Sequence, residues 1–407
     1  MVEVREAREE DRKSAVRVLW KAFESTSNYE DVLKQKWISN WHRPENREWA
    51  YVAVDGDNVV ANLSLFVSDE NRIRGRPVPF GGVWAVATMP HFRRKGLVKK
   101  LFDLAFVKMR EEDAVLSILD PFYRPFYERF GYALAERRTK HTIRRDALRV
   151  GKTNQAISCR EATADDVENI IDIELSMTRY GSRFPHFRRI INELIEGGNM
   201  LIFEKNEESV GTAWFRYEKS KSAPGNDLLV SSTAYRHEEV IPSIIEQVRN
   251  YAANANEIHW YADIAFPVRH YLSEIRSVDV ENAIYRGGQS VEIGSMMMRV
   301  IDFEGYCNSI NIPTVAIKPV IVELKEDQCP WNEGTYRLTP ADGKLHIERT
   351  NASPDITLNP FQLSQVISGI SPAKLLHAFN EIDCTKECAE KLEAIFPEDV
   401  FCSYTRF

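Results

Sequence analysis

The spacing of apolar residues changes between two periods along the first part of the chain. After an acidic turn, Ala15, Val18 and Leu19 recur at the spacing of one helical face and predict an amphipathic helix. The segments 51–54 and 59–66 are rich in strand-forming residues around a short Asp-Gly-Asp turn, which predicts a β-hairpin. The other predicted elements are strands at 83–88 and 114–119, a helix at about 96–109 and a β segment beginning at 130–134. Strands followed by a helix and a strand predict a mixed α+β sheet.

The opening pattern of the chain occurs a second time. Residues 4–7 read Val-Arg-Glu-Ala and precede Asp11, and residues 159–162 read Cys-Arg-Glu-Ala and precede Asp166 at the same interval. Each copy predicts a short strand, a turn and the acidic first turn of an amphipathic helix. Because the copies lie much farther apart than the repeats of a solenoid, we expect two tandem domains of one fold.

Two shifts in composition divide the chain. A polar linker occupies 144–154, and a second change falls near Ser295, where a run of methionines begins. The remainder alternates in short strands and contains two helices, which predicts a small third α+β domain. Its expected elements are strands at 314–324, 335–338 and 344–347 and helices at 360–367 and 384–395. We therefore predict domains at 1–150, 151–294 and 295–407.

The composition of the 407 residues narrows the classes of function. Hydrophobic residues make up 43% and charged residues 28%, which is typical of a globular protein. The net charge of −7 provides no basic field, so we expect neither nucleic acid nor an anionic membrane as a partner. No apolar run reaches the roughly 18 residues of a membrane span, and the N-terminus lacks an apolar signal region, so we expect no span and no secretion.

Cysteine usage bears on location and on metal binding. The six cysteines are scattered and none precedes Cys159, so we expect no disulfide framework and a cytoplasmic location. Cys384 and Cys388 lie one helical turn apart, but two ligands do not make a zinc site. We therefore expect packed free thiols and no bound metal.

The segment 86–99 carries the main chemical signal. It predicts a buried strand, a tight basic loop and the N-terminus of a helix. Unpaired backbone N–H groups and the helix dipole at such a terminus bind anions, and Arg93, Arg94 and Lys95 add positive charge. Gly96 lets the backbone approach an anion without a Cβ in the way. The alternative interpretation is an ordinary strand–loop–helix junction whose basic loop is solvated.

This stretch resembles the acetyl-CoA loop of the GCN5-related N-acetyltransferases (GNAT), whose pattern is Arg/Gln-x-x-Gly-x-Gly/Ala after the fourth strand. Arg93, Gly96 and Val98 fill its three places, although Gly or Ala is usual where Val98 stands. A branched side chain there would crowd the pyrophosphate unless it pointed into the sheet. The resemblance implies an acetyl-CoA site whose residues are Val86, Ala87, Thr88, Arg93, Arg94, Lys95, Gly96, Leu97, Val98, Lys99, Phe122 and Tyr123.

A second element follows about thirty residues later, where residues 126–132 read Phe-Tyr-Glu-Arg-Phe-Gly-Tyr. GNAT enzymes carry a similar stretch after the fifth strand, with a tyrosine near the departing thiolate, and Tyr127 matches that position. A phenol of pKa about 10 can protonate a thiolate whose conjugate acid has a pKa of about 8.5. The alternative role for Tyr127 is a buried tyrosine that satisfies a polar contact. Tyr123 and Tyr132 lie close by and are the nearest competitors for the role.

The second copy of the fold lacks this loop, because residues 233–240 offer one arginine and no glycine. We expect a domain without cofactor binding that walls the substrate cleft. One active and one degenerate acetyltransferase domain followed by a small α+β domain resembles the enhanced intracellular survival (Eis) family, over essentially the whole chain. That resemblance implies a third domain similar to a sterol carrier protein, a homohexamer, and the terminal carboxylate of Phe407 as general base.

The acceptor is expected to be a primary amine: an aminoglycoside-like compound, a polyamine or a lysine side chain. Glu24 and Trp37 are candidate wall residues of its cleft, or equally a surface charge and a core aromatic. Arg406 lies beside the proposed base and would pair with an acid or repel polycations. Three alternatives stay open: a related enzyme for peptide N-termini or small amines, a silent carrier that binds an apolar ligand through the third domain, and an interaction scaffold.

Overall fold

A computed structural model describes residues 2–23, 41–176, 182–221, 223–264, 266–273, 288–314, 318–399 and 401–404. In chain order its strands are β1 (Glu3–Glu6), β2 (Glu48–Asp55), β3 (Asn58–Ser68), β4 (Phe80–Thr88), β5 (Leu116–Leu119), β6 (Ala133–Leu134), β7 (Arg138–Arg144), β8 (Ile157–Glu161), β9 (Ser182–Phe184), β10 (Met200–Lys205), β11 (Glu208–Lys219), β12 (Asn226–Tyr235), β13 (Ala255–Asp263), β14 (Gly288–Ile293), β15 (Met297–Val300), β16 (Val320–Leu324), β17 (Gly334–Ala341), β18 (Lys344–Arg349), β19 (Ile356–Leu358) and β20 (Phe401–Ser403). Its α-helices are α1 (Arg12–Ala22), α2 (Leu97–Glu111), α3 (Arg124–Glu128), α4 (Val167–Ser176), α5 (Arg188–Glu196), α6 (Ile241–Tyr251), α7 (Phe303–Ser309), α8 (Pro360–Ser368), α9 (Ala373–Ala378) and α10 (Lys386–Ile395).

The first sheet has seven strands in the order β1-β2-β3-β4-β5-β15-β6. Helix α1 covers one face, where Ala15 and Leu19 pack on Ala50 and Val52. Helix α2 covers the other face through a row of buried apolar residues that recur at helical spacing. The residues of each strand alternate between the two faces, so both faces bury apolar side chains. The mixed α+β architecture predicted from the sequence is confirmed.

The second sheet also has seven strands, in the order β14-β7-β13-β12-β11-β10-β8, and repeats the start of the first. Arg5 in β1 pairs with Asp11 at 2.6 Å, and Arg160 in β8 pairs with Asp166 at 2.7 Å. In both copies the aspartate also accepts a backbone N–H three residues earlier and closes the turn before the helix. The hydrogen bond from Arg160 lowers the pKa of Asp166 to about 2. The recurring residues therefore form the same ion pair and the same turn-closing hydrogen bond in both copies, as a repeat of the fold requires.

The third sheet has four strands in the order β18-β17-β16-β19 and packs against helices α8 and α10. Its core continues into that of the first sheet, since Val322 and Leu363 belong to one buried cluster with Ile118 and Met298. Strand β15, which is paired on both sides, connects these cores because Met297 faces the α2 side and Met298 faces the third sheet.

The sheets do not follow the chain divisions predicted at 150 and 294. Strand β7 lies before residue 150 but pairs with β13 and β14 of the second sheet. Strand β15 lies after residue 294 but pairs with β5 and β6 of the first sheet. A short apolar strand shows no sign in the sequence of which neighbour it pairs with, so these pairings could not be predicted.

A small junction joins parts of the chain that lie far apart in sequence. Strand β9 pairs in parallel with β20, close to the C-terminus. On its other side Arg183 exchanges both backbone hydrogen bonds with Arg72 of the first domain, at 2.6 and 2.9 Å. The Arg183 side chain is fully buried and forms an ion pair with Asp263.

Candidate active site

The site begins at an irregularity in strand β4. Ala85 has a φ of 53°, and the register between β3 and β4 shifts opposite it. The Asn62 amide in β3 donates to the Ala85 carbonyl at 2.5 Å and holds the bulge. Strand β4 pairs with β5 only over Phe80–Val83. Beyond the bulge, residues 86–88 therefore leave their neighbour, and a wedge opens between the two strands.

Helix α2 starts at the mouth of this wedge. Gly96 is its N-cap residue, with a φ of +72°, a conformation that glycine adopts without strain. A Cβ built on Gly96 would meet no atom within 4 Å, so the backbone is open on that side. The first N–H groups of a helix have no partner within it, and the helix dipole favours a negative charge beside them. The helix terminus can therefore bind an anion.

The wedge and the helix terminus border one cleft of about 1000 Å³. All of the cofactor-binding residues predicted from the sequence line it: Val86, Ala87, Thr88, Arg93, Arg94, Lys95, Gly96, Leu97, Val98, Lys99, Phe122 and Tyr123. Val98, which departs from the usual pattern, is half-buried and packs against the core between α2 and the sheet. Part of its side chain is thus directed away from the position of an anion.

The cations of the loop are arranged around its exposed edge. Arg93 donates to the carbonyl of Ala22 at the end of α1, at 3.4 Å. The ammonium of Lys95 lies over the Phe92 ring at 4.4 Å, and that of Lys99 is 3.4 Å from Asp103. These contacts are exposed and weak, which leaves the cations available to a phosphate at little cost.

Two polar lining residues from outside the first domain were missed by the sequence reasoning. Asp327 and Gln328 precede β17 and border the cleft from the third part of the chain. Gln328 donates to Asp103 of α2 at 2.8 Å and accepts from the buried Arg299 at 3.3 Å. No local motif marks either residue, because the contact depends on how distant segments pack.

Tyr127 lies directly behind the cleft and is 4% exposed. Its ring packs edge-on against Phe122 and Phe126, both of which line the cleft, with centroids 5.8 and 5.1 Å away. Burial, with a smaller contribution from Asp120, raises the pKa of Tyr127 well above the ordinary value. Within the described residues its hydroxyl has no hydrogen-bond partner. A neutral phenol with a free O–H is what a proton donor requires.

The two competing tyrosines differ from Tyr127. Tyr132 is fully buried, and its hydroxyl shares a 2.6 Å hydrogen bond with Ser117. Tyr123 is 59% exposed at the rim of the cleft. The hydroxyl of Tyr132 therefore already has a polar partner, whereas most of the Tyr123 side chain is in solvent.

The corresponding segment of the second domain could not hold a phosphate in this way. Between β12 and α6 it forms a 3-10 turn, Glu238–Val240, with no glycine. Glu238 and Glu239 place negative charge at the helix start, and Glu239 is 2.6 Å from Lys205. The one arginine, Arg236, donates to the carbonyl of Ser209 at 3.1 Å. The loss of cofactor binding in the second domain stays a prediction.

Several predicted residues lie outside the described residues, namely Glu24, Trp37, Arg406 and Phe407. The six cysteines form no disulfide with one another. Among the described residues, no helix combines the length and the apolar character that crossing a membrane requires.

Comparison with known proteins identifies two parts of the chain. Residues 3–135 match the model of the acetyltransferase (GNAT) domain, and residues 308–403 match that of the sterol carrier protein domain. The chain carries a GNAT acetyltransferase domain. That makes it an acyltransferase enzyme, and the loop, Tyr127 and all of the cleft residues except Asp327 and Gln328 lie within the matched GNAT domain.

Whole-chain relatives extend the likeness beyond the GNAT domain. An uncharacterized N-acetyltransferase of Streptomyces avermitilis is 22% identical over 345 residues, which cover 79% of this chain and 80% of that protein. GCN5-related N-acetyltransferases from Kribbella flavida and Anabaena variabilis share the fold with TM-scores of 0.83 and 0.82, at 19% and 15% identity. Eis1 from Mycobacterium abscessus has a TM-score of 0.78 at 16% identity, and this chain is covered completely in all three structural comparisons.

Proposed function

We propose that this enzyme transfers the acetyl group of acetyl-CoA to a primary amine. The observation that carries the proposal is the single cleft that contains all twelve predicted cofactor residues between the β4 bulge and the α2 N-terminus. The pyrophosphate would lie against the N–H groups at Gly96 and the loop cations, and the thioester would extend into the wedge at residues 86–88. The open space at Gly96 and the basic edge of the loop fit this ligand.

The proposed reaction is a direct attack within the wedge. The amine nitrogen bonds to the thioester carbonyl carbon, backbone N–H groups of residues 86–88 stabilise the oxygen, and the C–S bond then breaks. Tyr127 gives its proton to the departing thiolate. The amine must lose a proton to a base, and the terminal carboxylate of Phe407 is our candidate. Desolvation would have to raise its pKa from about 3.5 for efficient proton transfer.

Buried polar atoms beside the bulge suggest where the amine binds. Asn62 and Ser64 in β3 lie opposite Val52 and Ala50, and therefore share the face that α1 covers. Both side chains are fully buried, yet within the described residues Asn62 Oδ1 and Ser64 Oγ have no hydrogen-bond partner. An unpaired buried acceptor is costly, and an amine N–H would satisfy it.

Ser64→Ala should raise the amine KM by about tenfold or more, because a hydrogen bond to a charged donor is lost. The acetyl-CoA Kd and the melting temperature should not fall, since the hydroxyl has no partner within the described residues. Steady-state kinetics, calorimetry and thermal unfolding measure the three quantities. Ser117→Ala is the matched control, because its hydroxyl is bonded to Gly81 and Tyr132 and its loss should cost stability without changing the amine KM. An unchanged amine KM in Ser64→Ala would exclude this subsite.

The proposed function is tested by CoA release from acetyl-CoA with a panel of amines. The panel contains aminoglycosides, polyamines, a lysine peptide and peptides with free N-termini. Turnover with any of them establishes the N-acetyltransferase and identifies the acceptor class. Binding of acetyl-CoA without release by any amine would disprove the proposed acceptor classes, and absence of binding would favour a carrier or a scaffold.

An extension of the C-terminus tests the proposed base. Two or more residues added after Phe407 should lower kcat by about 100-fold or more, the usual contribution of general-base catalysis, because they move the carboxylate. The acetyl-CoA Kd should stay constant, since that cleft is formed by the first domain and residues 327–328. The control carries the same extension before Met1. Full activity in the C-terminally extended protein would rule out the carboxylate as base.

We further propose membership in the Eis family, a hexameric assembly and a cytoplasmic location. The order of the matched domains and the fold shared with Eis1 support the first. Sedimentation of the purified protein measures the number of subunits. Free cysteines are typical of proteins in a reducing compartment, which supports the cytoplasmic location.

A further inference from the structure

The second sheet retains the opening that holds the cleft in the first sheet. The register between β11 and β12 shifts next to Ser231, as it does between β3 and β4. Strand β12 then pairs with β13 only as far as Val230 and Trp260, as β4 pairs with β5 only over its first part. Each sheet therefore has an opening where two parallel strands stop pairing. We call the opening in the second sheet, beyond Val230, the seam of β12 and β13.

This second seam is filled by the protein itself. The buried guanidinium of Arg138 donates to the carbonyl of Ser231 in β12 at 2.9 Å and to that of Tyr261 in β13 at 3.4 Å. It thus ties together the two strands that have separated. In the first domain the main chain at the opening is proposed to contact a ligand. In the second domain the carbonyls at the opening accept hydrogen bonds from the Arg138 side chain instead.

The last described residues of the chain occupy the same place. Arg138 also donates to the carbonyl of Ser403 at 3.3 Å. Tyr404 is buried, and its hydroxyl donates to the carbonyl of Thr233, two residues beyond the bulge in β12, at 3.4 Å. Its ring lies 5.9 Å from that of His186, which is fixed by a 2.6 Å contact with the buried Glu174.

The tail is also tied to the first sheet. Glu136 lies two residues after the end of β6 and is 1% exposed. Its carboxylate accepts from the backbone N–H of Ser403 at 3.1 Å and from the Ser295 hydroxyl at 3.1 Å, just before β15. Since β6 and β15 belong to the first sheet, the position of Ser403 is fixed relative to the domain that contains Tyr127.

We propose that the seam of β12 and β13 is a seat for the C-terminal tail, with Glu136, Arg138 and Tyr404 as positioning residues. The degenerate domain has lost the cofactor loop and uses its remaining opening to hold the end of the chain. This inference rests on the proposed function only in its second part, which is that a seated tail is needed for turnover.

The first test measures how firmly the tail is held. Carboxypeptidase Y is added to the native full-length protein, and release of the last three residues is followed by mass spectrometry. Tyr404→Ala should speed release by at least about tenfold, equivalent to about 1.4 kcal/mol of lost docking. In Tyr404→Phe the last three residues should be released at nearly the wild-type rate, because the ring stays against His186 and the hydrogen bond to Thr233 that is lost is long, at 3.4 Å. Equal release from wild type and Tyr404→Ala would overturn the seat.

The second test measures the consequence for catalysis. Tyr404→Ala should lower kcat by about tenfold or more, since small displacements of a catalytic group are costly, and should leave the acetyl-CoA Kd unchanged. Tyr404→Phe should keep kcat near the wild-type value, because the ring that holds the tail is retained. Tyr217→Ala, at a half-exposed tyrosine of the same domain, is the control. Fast release with an unchanged kcat would show that the seat does not serve turnover.

If Tyr404→Ala does not fold, Arg138→Lys replaces it, because a lysine keeps the charge but cannot reach Ser231, Tyr261 and Ser403 together. If the wild type acetylates no amine, the proposed function fails, while the carboxypeptidase comparison still decides whether the tail is seated.

Discussion

Gly96→Glu should abolish acetyl-CoA binding: we expect titration calorimetry to give a Kd raised at least about 100-fold, which corresponds to about 2.7 kcal/mol. The new side chain enters the open space beside the helix terminus, where no atom lies within 4 Å of a Cβ. Its carboxylate then competes for the N–H groups and the dipole that would hold the pyrophosphate, and it repels the phosphates. Retained binding would mean that the cofactor lies elsewhere.

The matched control for this substitution is Gly56→Glu, in the turn between β2 and β3. Gly56 has a φ of +59° and also has no atom within 4 Å of a Cβ, so it shares the backbone strain and the free space of Gly96. Strain of this kind costs about 1–2 kcal/mol in either variant. Gly56→Glu should therefore lose similar stability in thermal unfolding and bind acetyl-CoA as the wild type does.

Tyr127→Phe should lower kcat by about 100-fold or more while the acetyl-CoA Kd changes little. The ring contacts with Phe122 and Phe126 are kept, and only the hydroxyl that gives the proton is lost. Tyr132→Phe is the control: it removes a buried hydroxyl that is bonded to Ser117, so stability should fall by about 1 kcal/mol with kcat unchanged. A wild-type kcat in Tyr127→Phe would remove Tyr127 from the mechanism.

The pH dependence offers an independent check on the same role. The phenol must be protonated to act as the acid, and burial raises its pKa above the usual value of about 10. The loss of kcat at alkaline pH therefore should not begin near pH 10 but above it. A raised pKa also makes the phenol a weaker acid, which reduces the driving force for proton transfer.

Local patterns account for what the sequence could predict. Arg5 and Asp11 form their ion pair within one turn of chain, and Arg160 and Asp166 repeat it, so the repeat could be detected before any tertiary contact was known. The cofactor loop is equally local, because a strand, a basic turn and a helix start are contiguous. Helix α10 begins at Lys386 rather than at the predicted 384 because Thr385 caps it through the N–H of Cys388.

What the sequence could not predict depends on distant contacts. Gln328 reaches the cleft only because its part of the chain packs on α2, and no residue near it indicates that. The bulge at Ala85 could not be predicted either, because a positive φ is indicated in a sequence by glycine and not by alanine. The partners of β7 and β15 belong to the same class of unknowns, as do the roles of Glu136 and Arg138 in holding the tail.

The exchange of β7 and β15 between the sheets has a consequence for how the protein can be divided. A chain cut after residue 150 would carry β7 without its partners and would leave facing edges of β5 and β6 unpaired. Unpaired edges favour aggregation. The part that remained would lack β7 from the second sheet and would carry β15 without its partners β5 and β6. We therefore expect that cutting the chain at residue 150 does not give a stable isolated acetyltransferase domain.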